Sequence, residues 1–374
     1  MNKTSTELKK MNLSQVFREI YARGSASKNT LTMSLGLSIP TVTNALRELQ
    51  GRNLIVREGS YLSTGGRPAF VHRFNENAKL GIGVEVLPDR VNAAAVNLYG
   101  KTVDSTSAEL CFAADEDYYR RFGALVNSFA GNCSEKYGEV LGVGISLPAI
   151  INSESGEIVY SELLRTAEFN VRELTQFIEY SCECRHDAEC GASAELRDRK
   201  LSADTLIIFL NNHICTAFVI GGKVHVSGNL SSGTIEHLVI HENGRECYCS
   251  KRGCVDAYCS AASLLKMSAT STLEEFFAAV RSGDPKAAGV WDRYLDDLAL
   301  AIDSARMVIP CDIIIDGYLL KFIQDQDIIN LKSKVIGMTT FKQVGFSITR
   351  GECDANPVLT GAALPLLDRF LESI

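Results

Sequence analysis

From about Lys79 onward the hydrophobic pattern runs through one order of elements twice, and no other feature narrows the fold of this chain so far. In the first pass Gly81-Ile-Gly-Val-Glu-Val, Val91-Asn-Ala-Ala-Ala-Val-Asn-Leu and Lys101-Thr-Val read as three strands separated by short turns. A helix follows at residues 115–130, with Tyr118, Phe122, Val126 and Phe129 on one face, then the buried strand Leu141-Gly-Val-Gly-Ile-Ser-Leu-Pro148. The second pass has strands at Thr205-Leu-Ile-Ile-Phe-Leu, Cys215-Thr-Ala-Phe-Val-Ile and Lys223-Val-His-Val. Its helix spans 291–307 (Trp291, Tyr294, Leu295, Leu298, Ile302) and its buried strand is Ile313-Ile-Ile-Asp-Gly317. A β-β-β-α-β unit used twice predicts two α/β lobes with a cleft between them, the default place for a ligand.

Residues 1–80 follow a different rule. They hold 12 Lys+Arg against 5 Asp+Glu, a net of +7, whereas the other 294 residues hold 26 against 40, a net of −14. The overall charge of −7 conceals this split. A basic head on an acidic body is the layout of a polyanion-binding module joined to something else, and nucleic acid is the first candidate partner. With 46% hydrophobic and 22% charged residues, the composition excludes a disordered or collagen-like chain. Residues 1–20 contain no apolar core of a signal peptide, and no apolar run approaches the ~18–20 residues that span a bilayer. The expectation is a cytoplasmic protein without a membrane segment.

Within the head, residues 12–24 place Leu13, Val16, Phe17 and Ile20 on one helical face and end at Gly24. A second short helix is expected from about Lys28 to Leu35, followed by a turn at Gly36. Ser38 caps a third helix in which Val42, Ala45, Leu46 and Leu49 recur at core spacing, while Pro40 is tolerated in the first turn. Thr41, Asn44, Arg47 and Thr43 are left to point outward, the layout of a helix-turn-helix. Two extended stretches, Asn53–Arg57 and Ala69–Phe74, flank a tip that contains Gly65, Gly66 and Arg67 before Pro68, and together read as a wing. Ser38 and the outward residues of the third helix would face a major groove, Arg57 a phosphate, and Arg67 a narrow A·T-rich minor groove.

The sharpest chemical signal is His237-x9-Cys247-x-Cys249-x4-Cys254, in a segment too polar to anchor itself by apolar packing. One imidazole and three thiolates suit tetrahedral Zn²⁺, and four protein ligands make a closed structural site. His241 and Cys259 are alternative ligands. Cys215 and Cys311 read as core thiols.

The winged head ending in Thr-Gly-Gly-Arg-Pro, the duplicated body and the His-x9-Cys-x-Cys-x4-Cys motif together resemble the ROK family (repressors, uncharacterised reading frames and sugar kinases). The likeness covers about residues 8–370, and the head points to the branch of the xylose and N-acetylglucosamine repressors. It implies an α/β protein: an N-terminal winged helix-turn-helix and a two-lobed sugar-kinase/Hsp70/actin-like (ribonuclease H-like) body. The expected domains are 1–78 (head), 79–190 (first lobe) and 191–374 (second lobe with the zinc loop). The family's phosphate-binding Asp-x-Gly-Gly-Thr turn is Glu85-Val-Leu-Pro-Asp89 here, its Gly-x-Gly-x-Gly turn is Asn211-Asn-His-Ile-Cys-Thr216, and its late Gly-Gly is Asp316-Gly317. Without those glycines no backbone amides approach a phosphate, so the resemblance implies a body that is not an enzyme. On the sugar side the family's Asn-Asp pair matches His186-Asp187, its Glu-Ile-Gly-His matches Thr234-Ile-Glu-His237, and its Gly-Cys-Leu-Glu matches Gly253-Cys-Val-Asp256. His186, Asp187, Thr234, His237 and Asp256 are therefore the expected ligand-binding residues, for an effector other than glucose or an N-acetylhexosamine.

The function implied is a sequence-specific DNA-binding regulator of sugar metabolism, a repressor acting as a homodimer or higher homo-oligomer. Operator DNA, a carbohydrate or sugar phosphate, and structural zinc would be its partners. Two other readings remain open: a sugar kinase with an added head, and a zinc-braced DNA-binding scaffold with no effector.

Overall fold

The computed structural model of the chain describes residues 4–60, 70–152, 155–164, 169–199, 201, 203–226, 233–343, 345–352 and 356–374. The head consists of α1 (Ser5–Arg23), β1 (Ser25–Ser27), α2 (Lys28–Leu35), α3 (Ile39–Gly51), β2 (Ile55–Ser60) and β3 (Phe70–Phe74). Helix α1 starts well ahead of its apolar stripe because Thr4 and Glu7 form a capping box, each side chain accepting the other's backbone N–H. Strand β1, too short for any periodicity to betray it, pairs with β3 and completes a three-stranded sheet of order β1-β3-β2. Gly65, Gly66 and Arg67, at the expected wing tip, lie outside the described residues.

The first lobe contains β4 (Lys79–Val86), β5 (Arg90–Asn97), β6 (Thr102–Glu109), α4 (Glu116–Lys136) and β7 (Glu139–Leu147). A small hairpin, β8 (Ile150–Ile151) and β9 (Ile158–Tyr160), follows, then α5 (Val171–Thr175) and β10 (Cys182–His186). Helix α6 (Asp187–Asp198) leads to β11 (Thr205–Leu210), β12 (Ile214–Ile220) and β13 (Lys223–Val224). Four helices come next: α7 (Asp256–Cys259), α8 (Ala261–Ser268), α9 (Leu273–Arg281) and α10 (Pro285–Val308). The chain closes with β14 (Asp312–Asp316), α11 (Asp325–Met338), β15 (Ile348–Arg350) and α12 (Pro357–Glu372).

The two five-stranded sheets have orders β10-β7-β4-β5-β6 and β15-β14-β11-β12-β13, with the same strand directions at each step. The duplication is therefore present, with one parallel edge strand in each lobe, β10 or β15, beyond those the periodicity marks. Helices α4 and α10 pack on their own lobes through the residues the spacing selects, among them Phe122 and Val126, and Tyr294 and Leu298.

Two helices depart from the expected division of the chain. The boundary at 190/191 falls inside α6, whose Ala188 and Ala192 cover Ile207, Phe209 and Val219 of the second sheet. The last helix, α12, expected with the second lobe, lies instead on β4 and β7 of the first. Each connecting helix covers the sheet of the other lobe. They cross so closely that a Cβ built on Gly361 of α12 would fall inside the carbonyl oxygen of Cys190 in α6. A second departure concerns the head. Its core of Phe17, Ile20, Leu46 and Phe74 runs without a break into Val96 and Leu98 of the first lobe, Ala194 of α6 and Leu364 and Leu367 of α12. No described helix is long and apolar enough to cross a membrane.

Candidate functional sites in the head and the cleft

In the head, Ser38 is the N-cap of α3: its Oγ accepts the Thr41 N–H at 3.3 Å and lies 2.8 Å from Oγ1 of Thr41. Thr41 is thus occupied with the cap and half-buried, whereas Asn44 and Arg47 are exposed one turn apart, Arg47 donating to Oδ1 of Asn44 at 3.5 Å. Thr43 is half-buried and donates to the Ile39 carbonyl at 2.7 Å. The Arg57 guanidinium lies 3.3 Å above the Phe70 ring, which steers it along the β2–β3 sheet. Two neighbours on α3 escaped the polar reading. Ile39, 53% exposed, and Pro40 open the helix with no packing role. Their place directly after the cap was the available signal, because the first residues of a recognition helix approach base edges.

In the second lobe His237, Cys247, Cys249 and Cys254 converge, their donor atoms all within 4.8 Å of one another, in an arrangement that could hold a metal ion. The Sγ of Cys247 is 3.8 Å from Nδ1 of His237, and those of Cys249 and Cys254 are 3.7 Å apart. Burial lowers the pKa of His237, favouring the neutral imidazole that a metal needs, and raises those of the Cys247 and Cys254 thiols. Three thiols packed this tightly beside an imidazole gain their charge only from a cation in their midst, which is what the donor set fits. The two alternative ligands lie elsewhere. Nε2 of His241 pairs with Asp297 at 2.7 Å, and Cys259 is buried in the α10 core.

The remaining expected ligand residues surround the same place. His186, the N-cap of α6, lines a polar recess with Glu189, Thr216, His225 and Thr234. Asp187 begins α6 and accepts the Ala188 N–H at 2.7 Å. Asp256 is buried and already committed, with Oδ2 3.1 Å from Nδ1 of His213 and Oδ1 accepting the Ile214 N–H at 2.9 Å. It braces the start of β12. The ring of Tyr248 sits 5.0 Å from His237 and 4.9 Å from His213, and Tyr160 of the first lobe meets His237 edge-on at 6.3 Å. The first lobe therefore reaches the imidazole of the His/Cys cluster.

A carboxyl group that the sequence reading passed over lies beside these residues. Glu236 stands where the family pattern has glycine; it is fully enclosed, and burial pushes its pKa up to about 8, with Asp187 and Asp256 adding to the effect. Proton counting agrees. The single proton of Thr216 Oγ1 cannot serve both its neighbours, the Gly233 carbonyl and Oε2 of Glu236 at 2.9 Å, unless the carboxyl supplies one of its own. The signal available was the exchange itself, a glutamate in place of glycine two residues after a threonine in place of glutamate.

The residues that the resemblance sets at the nucleotide turns bond to other groups of the protein. Glu85 is buried and accepts from Nδ2 of Asn92 at 2.9 Å and of Asn356 at 3.1 Å. Oδ1 of Asn211 accepts the Tyr318 N–H at 2.8 Å. Asp316 is buried beside Glu195 with no hydrogen-bond partner for its Oδ2, and burial first, then the charge of Glu195, lifts its pKa to about 7. The sign follows. An Asp that keeps its proton when folded, to about pH 7, and loses it near pH 4 when unfolded binds more protons folded than unfolded between those values. This pair therefore makes the fold less stable as pH rises from about 4 to about 7, levelling off above. Urea midpoints at pH 5.0 and 7.5 are expected to differ less in Asp316→Asn than in the parent; an equal difference refutes the raised pKa of Asp316.

Comparison with known proteins agrees with this geometry. Residues 81–329 match the ROK family and residues 11–60 match the MarR family. The xylose repressor of Bacillus subtilis (strain 168) is 24% identical over 270 residues, which is 70% of this chain and 68% of the repressor. The DNA-binding transcriptional dual regulator NagC of Escherichia coli (strain K12) is 22% identical over 260 residues, 69% of this chain and 64% of NagC. Among solved structures, a ROK family transcriptional regulator described as a homolog of the E. coli MLC protein superposes with a TM-score of 0.71 at 18% identity, covering 98% of both chains. A ROK family glucokinase from Streptomyces griseus, solved with glucose and AMPPNP, gives 0.66 at 16% identity, covering 76% of this chain and 98% of the kinase.

Proposed function

This chain belongs to the ROK family, and on that premise we propose that it is a DNA-binding transcriptional repressor controlled by a carbohydrate or sugar phosphate held between its lobes. The observation that carries the proposal is the joining of a winged, basic head to a kinase-type cleft in one continuous core. Helix α3 would enter the major groove, with Asn44 and Arg47 reading bases and Ser38, Thr41 and Thr43 holding the helix in register. Arg57 would meet a phosphate, and Arg67, between Gly66 and Pro68, the minor groove. Units 1–78, 79–190 and 191–374 remain the working division, with α12 exchanged between lobes. The site of action is the cytoplasm, and two heads in a homodimer or higher oligomer would match a pseudo-palindrome.

We assign zinc to His237, Cys247, Cys249 and Cys254, where it would brace the cleft wall; it supplies structure and no chemistry. His186, Asp187, Thr234, His237 and Asp256 would form the effector site. Sugar phosphorylation is not part of this reading. Support comes from Asn211 occupying the backbone donor of Tyr318 and from Asn92 and Asn356 occupying Glu85, since groups already bonded within the protein do not cradle a phosphate. Measurable ATP turnover at millimolar nucleotide refutes this.

The decisive experiment is selection of bound DNA from a random pool, followed by competition on the winning site with a panel of sugars and their phosphates. A selected operator released by one of them is expected. On that operator Arg47→Ala is predicted to weaken binding about 10–100-fold, the worth of one bidentate base contact, and to relax the preference at one position in each half-site. An unchanged preference would remove α3 from the base readout.

A further inference from the structure

We propose that α6 is the lever that carries the state of the cleft to the DNA-binding head, with Arg197 as the positioning residue at its far end. The assignment rests on the regulator reading above and adds the element that does the coupling.

Both ends of α6 are engaged in functional places. Its start carries His186 and Glu189 of the polar recess, with Asp187 between them in the first turn. About three turns away, some 16 Å along a rigid helix, Arg197 reaches three acceptors. Its Nη1 donates to Oδ1 of Asp368 in α12 at 2.6 Å, and its Nη2 to the Leu98 carbonyl at 3.1 Å and the Tyr21 hydroxyl of α1 at 3.5 Å. Tyr21 itself donates to the Leu98 carbonyl at 3.3 Å, and its backbone carbonyl accepts the Tyr99 hydroxyl at 2.8 Å. Tyr21, Phe74 and Tyr99 pack as one aromatic cluster with centroids 5.0–5.1 Å apart. The guanidinium thus closes a ring of bonds that includes the head, the first lobe and α12.

The seat of Arg197 is shaped for it. Gly100 holds φ +77, and a Cβ there would stand 2.8 Å from Nε of Arg197 and 2.9 Å from its Cδ. Two residues on, Arg199 grips the opposite side: it donates to the Arg350 carbonyl at 2.9 Å and pairs with Glu352 at 2.8 Å. The end of α6 is therefore held by the head and first lobe through Arg197 and by the second lobe through Arg199. A change in lobe closure cannot leave both grips unaltered.

Helix α12 runs as its companion. Its N-cap, Asn356, bonds Glu85 at the cleft, and its far end supplies Leu364 and Leu367 to the head core and Asp368 to Arg197. The contact of Gly361 with the backbone of Cys190 leaves no gap for side-chain rearrangement, so the two helices move as a pair. A packed pair with anchors at both ends is a rigid element through which a displacement at one end would reach the other.

The test uses the full chain and five variants: Asp187→Asn at the cleft end, Arg197→Ala, Arg197→Lys, and Asp187→Asn combined with each of the two Arg197 substitutions. Hydrogen exchange is followed at residues 18–26 and 95–100 without DNA or sugar, and operator affinity is measured on the sequence selected from the random pool. Asp187→Asn is expected to change exchange at 18–26 by about threefold or more, the usual scale of long-range coupling, and to shift operator affinity similarly. In the Arg197→Ala background both responses are expected to fall below about half, and in Arg197→Lys, which keeps a cation beside Asp368, to recover. A purely structural role for Arg197 would lower the melting temperature and leave the responses to Asp187→Asn unchanged; that result, or no response at 18–26 in the parent background, overturns the proposal. The coupling measured by exchange stands even if no operator is ever selected, which would defeat only the regulator reading. Operator binding with additive responses would defeat only the lever.

Discussion

Cys254→Ser is expected to lose stoichiometric metal and to destabilise the second lobe by about 3–5 kcal/mol, the scale at which a lost metal site stands out among point substitutions. The magnitude follows from how little else holds residues 237–254. Leu238 and Val239 are exposed, and the segment is tied mainly by backbone bonds such as Ile240 N–H to Gly253 and Val255 N–H to Leu238. Gly253 is needed at its φ of +86, beside the His241 carbonyl, to turn the chain back toward the cluster. Cys254 is fully buried and lies two residues before Asp256, which holds His213 and the start of β12. Loss of the metal should therefore loosen the cleft wall and abolish any response to sugar while leaving the head folded. Elemental analysis and urea denaturation check the first two effects. Zinc retained at one per chain, or lost without a change in stability, would refute the assignment.

The second large effect is expected from a substitution that adds a single methyl group. Gly361→Ala places its Cβ within the carbonyl of Cys190, where the nearest atoms are all backbone of another helix and cannot rotate away. Alanine normally stabilises a helix interior by about 1 kcal/mol relative to glycine. Here overpacking should reverse the sign and cost about 3 kcal/mol or more, because α6 must lift off α12. Gly337, on α11, is the control: a Cβ added there would have nothing within 4 Å, so Gly337→Ala is expected to be neutral or slightly stabilising. Thermal or urea unfolding of the two variants side by side decides the matter. Equal effects would mean the helix crossing is not tightly packed.

What could be read before folding was whatever repeats at short range. The apolar stripes of α3 and α10 declare themselves through a period of about 3.6, and strands β4, β5, β11 and β12 through short apolar runs bounded by turns. The His/Cys cluster was legible because its four residues sit within one polar segment, and chemistry at that spacing has few other uses. Strands β1 and β15 were not legible, since three residues carry no period and form only because a neighbouring strand offers its edge. The bond between Asp256 and His213 was not legible, since it joins residues 43 positions apart. Ile39 and Glu236 were passed over for the same reason: whether an apolar residue is exposed, or a carboxyl enclosed, is a property of the assembled surroundings.

The charge split between a +7 head and a −14 body, the duplicated lobe and the ligand set of the metal site are properties of local sequence, and local sequence determined them. Tertiary structure alone decided how those parts communicate. That α6 covers the second sheet and α12 the first, and that the core of the head continues into both helices, follows from burial of apolar faces across long separations. No window of neighbouring residues contains that information. Arg197 shows the difference: in the sequence it is one basic residue near the end of a helix, and in the fold it joins the head, the first lobe and α12 through one guanidinium.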